Sequence, residues 1–444
     1  MLVSRFPMTD RLQPLRSAWV WLFAWLVCSL GVSAWFFRPA STALDVDEIY
    51  WLGSAYYYDL AVTQHDWHHP DWQLLTALEN PPVTKYVIGL GLALTGQRIE
   101  SPSLLGGFYL LFERIPGAWG SGADYAKRAA VVERVPAAER ERIRSGGQLW
   151  LEPRTLATAR RTMLACALVA SVFTLLLGRE VGGWPAGLVA SQLLLLHPTV
   201  VSAYNHVMAD AVSLMFSTAA AWVACRLVKR AAEERAWSPR TSAGFVFGGA
   251  MLALACGAKM NSLVIVAAFG FAMLMATVQA ALRRDYARAG VVLGTGLAAL
   301  AFGLGLFIAI NPAVISDVPA GLAAIVWESD RAAAVQAHFL SGQLTTLPQR
   351  LDAVARLTAF GLLGFAVLAV AAAWAAAAGR EVERFLAGWW LVAAAAVVAW
   401  IPFERGRYVI PVVAPSVILL GWLATALISR SATRGRMRQV KGRP

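Results

Sequence analysis

Three acids fall within four positions of "LDVDEIYWLGSAYYYDLA": Asp45, Asp47 and Glu48. Cations embedded in apolar surroundings follow at wide intervals. They are Lys85 in "ENPPVTKY", between Asn80 and Tyr86; Arg160 and Arg161 in "RTLATARRTML"; Lys259 in "GAKMNS"; and Arg405 and Arg407 in "FERGRYVIP". "HPTVVSAYNHVMAD" adds His206 and Asp210. Carboxylates and cations gathered in one place suit a particular task. A phosphate leaving group needs cations that stabilise its charge as it develops, and a hydroxyl or amine nucleophile needs a carboxylate to take its proton. Asp47 or Glu48 fits the base. Lys85, Arg161, Lys259, Arg405 and Arg407 fit the phosphate ligands, and Asp45, His65, Asn80 and Tyr86 are the nearest polar candidates for the acceptor side.

Each residue also has an ordinary reading. A carboxylate just beyond a membrane span is usually a solvated interface residue, and an arginine at a helix end usually snorkels to headgroups. Lys259 can cap a tight turn, and Pro81-Pro82 can simply start a helix, since proline fits the first turn. "TQHDWHHPDW" offers metal-ligand types in His65, Asp66, His68, His69 and Asp71. It carries a proline and no established ligand spacing, so a wet loop is the preferred reading. No cofactor is expected to be required, with a divalent cation as the alternative.

These residues need elements to hold them, and the composition says which kind. Of 444 residues 58% are hydrophobic and 15% charged, where a soluble chain sits near a quarter charged. Apolar runs recur at about 20 residues, the length that crosses a hydrocarbon core of roughly 30 Å. The chain therefore reads as an all-α polytopic membrane protein; the short alternating segments of a β-barrel are missing. Spans are predicted at 18–37, 160–178, 184–200, 206–226, 244–260, 262–282, 289–310, 356–378, 385–402 and 408–428. With no internal repeat or linker, residues 1–444 read as a single integral membrane domain. It has two long polar loops, 38–159 and 311–355, and a basic tail, 429–444.

The formal charge of +12 does not point to nucleic acid, because Lys and Arg cluster in short segments between spans. Cys28, Cys166, Cys225 and Cys256 all lie in apolar runs and say nothing of redox compartment. Arg5, Arg11 and Arg16 precede the first run, which is long for a cleaved signal and reads as a retained anchor despite "VSA" at Val32–Ala34.

Sidedness follows from counting. With a cytoplasmic N-terminus and a non-spanning 82–97, ten spans bring both termini and the short basic loops "GRE", "RLVKRAAEERAWSPR", "RRDYAR" and "GREVER" to the cytoplasm. If 82–97 crossed, all of these loops would face outward, against the positive-inside rule. Two short crossings within 82–159, the second using 104–118, would preserve parity as well. Either way the acids and isolated cations collect on the extracytoplasmic face.

Taken together, "DEIYWLGSAYYYDLA", "HDW" and "ENPPVTKY", then "ARRTML", "HPTVVSAYNHVMADAVSL", "MLALACGAKMN" and "GRYVIPVVAP", resemble the GT-C superfamily of membrane glycosyltransferases. The likeness is to the protein O-mannosyltransferase and aminoarabinose-transferase branches. It spans most of 18–425, with specific motifs confined to the first hundred residues. It implies a GT-C-like bundle of about ten spans with juxtamembrane helices in the first outer loop. It also implies an inverting glycosyltransferase that takes a hexosyl or pentosyl group from a polyprenyl-phosphate donor. The acceptor would be a lipid, glycan or protein on the extracytoplasmic face; the Ala/Arg-rich composition and compact size lead to the expectation of a bacterial inner membrane. In that picture Asp47 activates or positions the acceptor, Glu48 supports the same site, and Lys85, Arg161 and a distal cation bind donor phosphate. Departures are Asn80, where the family carries His or Lys before Pro-Pro, and a charged insertion at 101–154. A transporter or flippase of a lipid-linked sugar is the alternative from another class, and an assembly protein the third. Transporters tend to show repeats and mid-membrane polar groups, and here the polar groups gather at one face.

Overall fold

The computed structural model describes residues 13–39, 44–114, 123–147, 149, 151–233, 239–315, 317–327, 343–359, 361–402 and 404–441. Runs rich in Ala, Leu, Val and Gly satisfy their backbone groups internally as helices, as a chain in a hydrocarbon medium must. Among the described residues eight helices are long and apolar enough to cross a membrane. One of them, Pro153–Leu196, is two helices. Gly183 adopts φ 84° in mid-course, and a Cβ at Gly187 would lie 2.3 Å from the carbonyl oxygen of Leu175. Residues twelve apart touch only if the chain folds back on itself. A further helix pair, Leu347–Ala359 and Leu362–Ala378, is bent by 82°. Counting the hairpin as two segments and the bent pair as one gives ten apolar segments among the described residues, against the ten spans expected, though the second arm of the hairpin is shorter than a full span. The chain is an all-α integral membrane protein.

Boundaries shift where the chemistry changes. The expected span 160–178 begins earlier, at Pro153, and 184–200 stops at Leu196. There His197 and Pro198 open a separate short helix, Pro198–Asn205. The expected 206–226 starts at Ala209, and 356–378 starts at Leu362. Small residues let helices meet closely. A Cβ at Gly249 would sit 2.2 Å from the Ala299 carbonyl oxygen and one at Gly303 2.7 Å from that of Gly249, the backbone approach that small residues permit between membrane helices.

Following the chain up and down the bundle assigns each loop to one of two ends. One end holds the basic hairpins, tied by Lys229 to Glu180 at 2.7 Å, Arg288 to the Arg230 carbonyl at 3.1 Å and Arg380 to the Val181 carbonyl at 2.8 Å. The other end gathers Asp47, Glu48, Arg160, Asp210, Lys259 and Arg407. At that second end the stretch from Val46 to Leu111 forms short helices over an apolar core of its own, which includes Tyr57, Trp72, Leu75, Ile88 and Leu105. That core continues into the bundle through Met163, Val207 and Val212. Residues 82–97 form an 11-residue helix, Val83–Ala93, about 16 Å long at 1.5 Å per residue. It is too short to span. Ser103–Leu111 is another short helix; 115–122 lie outside the described residues, as do 316 and 328–342 of the second loop and the side chains of the basic tail.

Candidate active site

The helix Val46–Gly53 presents Asp47, and two of its own acids fix it in place. Asp45 is the N-cap and accepts from the Asp47 amide at 2.9 Å, while Glu48 accepts from the Asp45 amide at 3.0 Å. This is a capping box, which satisfies two helix-terminal donors reciprocally. Glu48 does more. Its Oε1 accepts from Arg160 Nε at 2.8 Å and from the Val207 amide at 2.8 Å, and its Oε2 accepts from Arg160 Nη2 at 2.6 Å. Arg160 also donates to the Pro39 carbonyl at 2.8 Å. Both side chains are buried, at 0% and 1% exposure. Glu48 is thus consumed in binding the Asp47 helix to the membrane helix of Arg160 and to the segment before Ala209. It positions, and has no face left for an acceptor.

Asp47, one residue earlier and turned away from that lock, remains 27% exposed and accepts from Arg407 Nη1 at 2.5 Å. Arg407 comes from the turn Gly406–Tyr408 that precedes the helix starting at Ile410. The Arg407 guanidinium lies 5.5 Å from the Tyr408 ring centroid and the Lys259 ammonium 6.0 Å from it, placing two cations about one aromatic ring. Lys259 donates to Asp210 at 2.7 Å. Burial lowers the Lys259 pKa, and the Arg407 charge acts in the same direction while Asp210 opposes both. The arrangement runs Asp47, Arg407, Lys259, Asp210. Two cations are held side by side by two acids, and an incoming phosphate can compete for both.

The other candidates occupy different places. Lys85 is fully buried. Its ammonium donates to the carbonyls of Thr76 at 2.5 Å and Ala77 at 3.3 Å, and sits 4.9 Å over the Tyr57 ring. Those carbonyls end the short helix Leu75–Leu78, where a cation complements the helix dipole. Burial pushes the Lys85 pKa down to about 7 against the pull of Glu79. None of these contacts is shared with the Arg407–Lys259 cluster. Lys85, expected to bind phosphate, instead directs its ammonium at two carbonyls of its own chain in this structure. Arg161 is exposed, and its neighbour Arg160 turns inward instead.

Arg405 begins the Gly406–Tyr408 turn, and its charge acts on the Tyr408 phenol. Asn80 donates to the Tyr50 hydroxyl at 3.3 Å. Tyr86 donates to the Ile310 carbonyl at 3.1 Å. His65 is exposed, with φ 55°. Among the described residues no three His, Cys, Asp or Glu side chains are grouped to hold a metal ion. Sequence reasoning named Arg160 and Asp210 among the outer-face residues without giving either a role, and left Tyr408 out. Arg160 had a signal: it shares with Met163 and Ala167 a buried stripe spaced by three and four.

No protein-family model matches the chain, and no curated protein does. Solved structures do. ArnT from Cupriavidus metallidurans in the apo state superposes with a TM-score of 0.52 at 15% identity, over 96% of this chain and 63% of that one. The fold is that of the GT-C membrane glycosyltransferases. The same ArnT bound to undecaprenyl phosphate gives 0.50 at 15% identity, over 90% and 59%. The Archaeoglobus fulgidus oligosaccharyltransferase in the apo form gives 0.50 at 12%, over 98% and 53%. The chain therefore spans less than two thirds of the length of these GT-C-fold structures.

Proposed function

We propose that the protein is an inverting glycosyltransferase that moves a sugar from a polyprenyl-phosphate donor to an acceptor at the extracytoplasmic membrane face. The observation that carries this reading is the Asp47–Arg407 and Lys259–Asp210 pairing at one end of a GT-C fold. One structure of that fold, the Cupriavidus ArnT, is bound to undecaprenyl phosphate. The donor phosphate takes Arg407 and Lys259 from their acids. Asp47, released, accepts the proton of an acceptor hydroxyl or amine as its oxygen or nitrogen bonds to the anomeric carbon. The bond from that carbon to the phosphate oxygen breaks, and its electron pair leaves on polyprenyl phosphate against the two cations. In this scheme no metal or other cofactor is required, and the acceptor is a lipid, glycan or protein.

The basic end of the bundle supports a cytoplasmic placement of "GRE", "RRDYAR" and both termini by the positive-inside rule. The Asp47 end then faces the periplasm of a bacterial inner membrane, with 38–159 and 311–355 as extracytoplasmic loops. The transporter alternative needs polar groups at mid-span, whereas Asp210 and Lys259 stand at helix ends. The test is release of free polyprenyl phosphate from a panel of polyprenyl-phosphate sugars by protein in lipid, wild type beside Asp47→Asn. Release by wild type, with a loss of two orders of magnitude or more in the variant (general-base catalysis contributes about 10²–10⁴-fold), supports the assignment. Equal release by both removes Asp47 from the chemistry, and no release from any donor overturns the donor class.

A further inference from the structure

Buried polar atoms nearly always find partners, so those that do not call for a reason. Asn261 has both its amide nitrogen and its amide oxygen buried and unpartnered, and Asn311, 1% exposed, has its amide nitrogen in the same state. The two lie at neighbouring helix ends. Asn261 belongs to the turn Met260–Ser262 that follows Lys259, and Asn311 follows Ile310, whose Cδ1 lies 3.5 Å from a Cβ built at Gly257. In a turn of three residues per revolution, Lys259 and Ser262 share a side. Both face the helix Ala209–Glu233, Lys259 through Asp210 and Ser262 through Ser213 at 2.6 Å. Met260 packs into the apolar cluster of Phe307, Val314 and Ile325. Asn261 is left with the third side of the turn, one residue beyond the cation pair's neighbour.

The chemistry of the unmet atoms selects a ligand. Phosphate offers acceptors only, and would satisfy the amide nitrogens while repelling the Asn261 oxygen. A sugar hydroxyl both donates and accepts, and so answers an amide that lacks both partners. We infer that Asn261, with Asn311 at the adjoining helix end, forms a hydroxyl-binding subsite for the sugar of the donor, next to the phosphate held by Lys259 and Arg407. This rests on the polyprenyl-phosphate donor reading and adds to it the residues that would sense the sugar.

The experiment is a binding comparison on the full chain in lipid nanodiscs. The probes are undecaprenyl phosphate, undecaprenyl-phosphoryl mannose and undecaprenyl-phosphoryl glucose. Wild type should bind at least one sugar-bearing lipid more tightly than bare undecaprenyl phosphate. Asn261→Ala should weaken that lipid by about tenfold, the equivalent of one good hydrogen bond, and leave undecaprenyl phosphate within about twofold. Arg407→Ala should weaken all three probes. Asn261→Ser, which keeps a small polar group, and Asn311→Ala read the same difference if Asn261→Ala does not fold. The inference is overturned if Asn261→Ala leaves the sugar-bearing lipid unchanged, or if it weakens sugar-bearing and bare lipids equally. Wild type that favours neither sugar overturns it too, with the donor phosphate reading intact. Wild type that binds none of the probes removes the donor reading itself.

Discussion

The sharpest consequence of the site geometry concerns two adjacent acids that ought to behave oppositely. Glu48 is fully buried and makes hydrogen bonds to Arg160, the Val207 amide and the Asp45 amide, whereas Asp47 is partly exposed and pairs with Arg407. Glu48→Gln keeps the size but turns an NH2 toward donors, so the guanidinium loses its charge partner in a buried setting. Removing one member of a buried ion pair costs roughly 3–5 kcal/mol, a large part of a net stability of about 5–15 kcal/mol. Arg160→Met should cost a similar amount, since it strands the carboxylate. The double variant Glu48→Leu with Arg160→Met should recover part of the loss, because no charge is left unpaired. The assay is denaturant titration in detergent for the four proteins, paired with donor cleavage measured where each is folded. Glu48→Gln that unfolds like wild type yet cleaves no donor would refute the reasoning and place Glu48 in the chemistry.

Three further outcomes follow from the same structure. Lys85 binds its proton less tightly in the folded protein, with a pKa near 7, than in the unfolded chain at 10.5. The unfolded state holds more protons between those values, so stability should rise with pH across that window. Lys85→Met should flatten the rise, and an unchanged slope in unfolding titrations would contradict it. Gly187→Ala places a Cβ 2.3 Å from the Leu175 carbonyl oxygen, so the hairpin at Gly183 cannot close as it stands. A loss of about 1–3 kcal/mol is expected in the same titration, and wild-type stability would mean that the two helices part easily. Arg161→Ala should leave donor binding within about twofold, since an exposed surface change is usually worth under 0.5 kcal/mol. A tenfold loss of undecaprenyl phosphate affinity would restore Arg161 to the phosphate site.

Much of this architecture is legible in the sequence. Hydropathy alone locates the spans, because burial in lipid demands long uninterrupted apolar helices, and the failure of 82–97 to span follows from its length. The gathering of Asp47, Asp210, Lys259 and Arg407 at one end follows from chain parity, which needs no tertiary detail. Which of two neighbouring residues turns inward could not be settled the same way. Arg160 and Arg161 differ by 100° of helix rotation, and only the buried stripe through Met163 and Ala167 chooses between them. The roles of Glu48 and Lys85 were also out of reach, since each depends on backbone groups, at Val207 and at Thr76 and Ala77, that carry no side-chain signature. The shift of the Pro198–Asn205 helix out of its expected span has a local cause: the His197-Pro198 step cannot continue the preceding helix, because proline disfavours a helical residue before it.

Asp47 and Arg407 are separated by 360 positions in the chain. A ribosome must therefore make and insert all of the chain that lies between them before the two can meet, and until then Asp47 has no Arg407 to hold. The separation makes competence a late event in synthesis. A chain stalled before Arg407 can occupy the membrane with the preceding apolar helices in place and still lack one of the two cations proposed to hold phosphate.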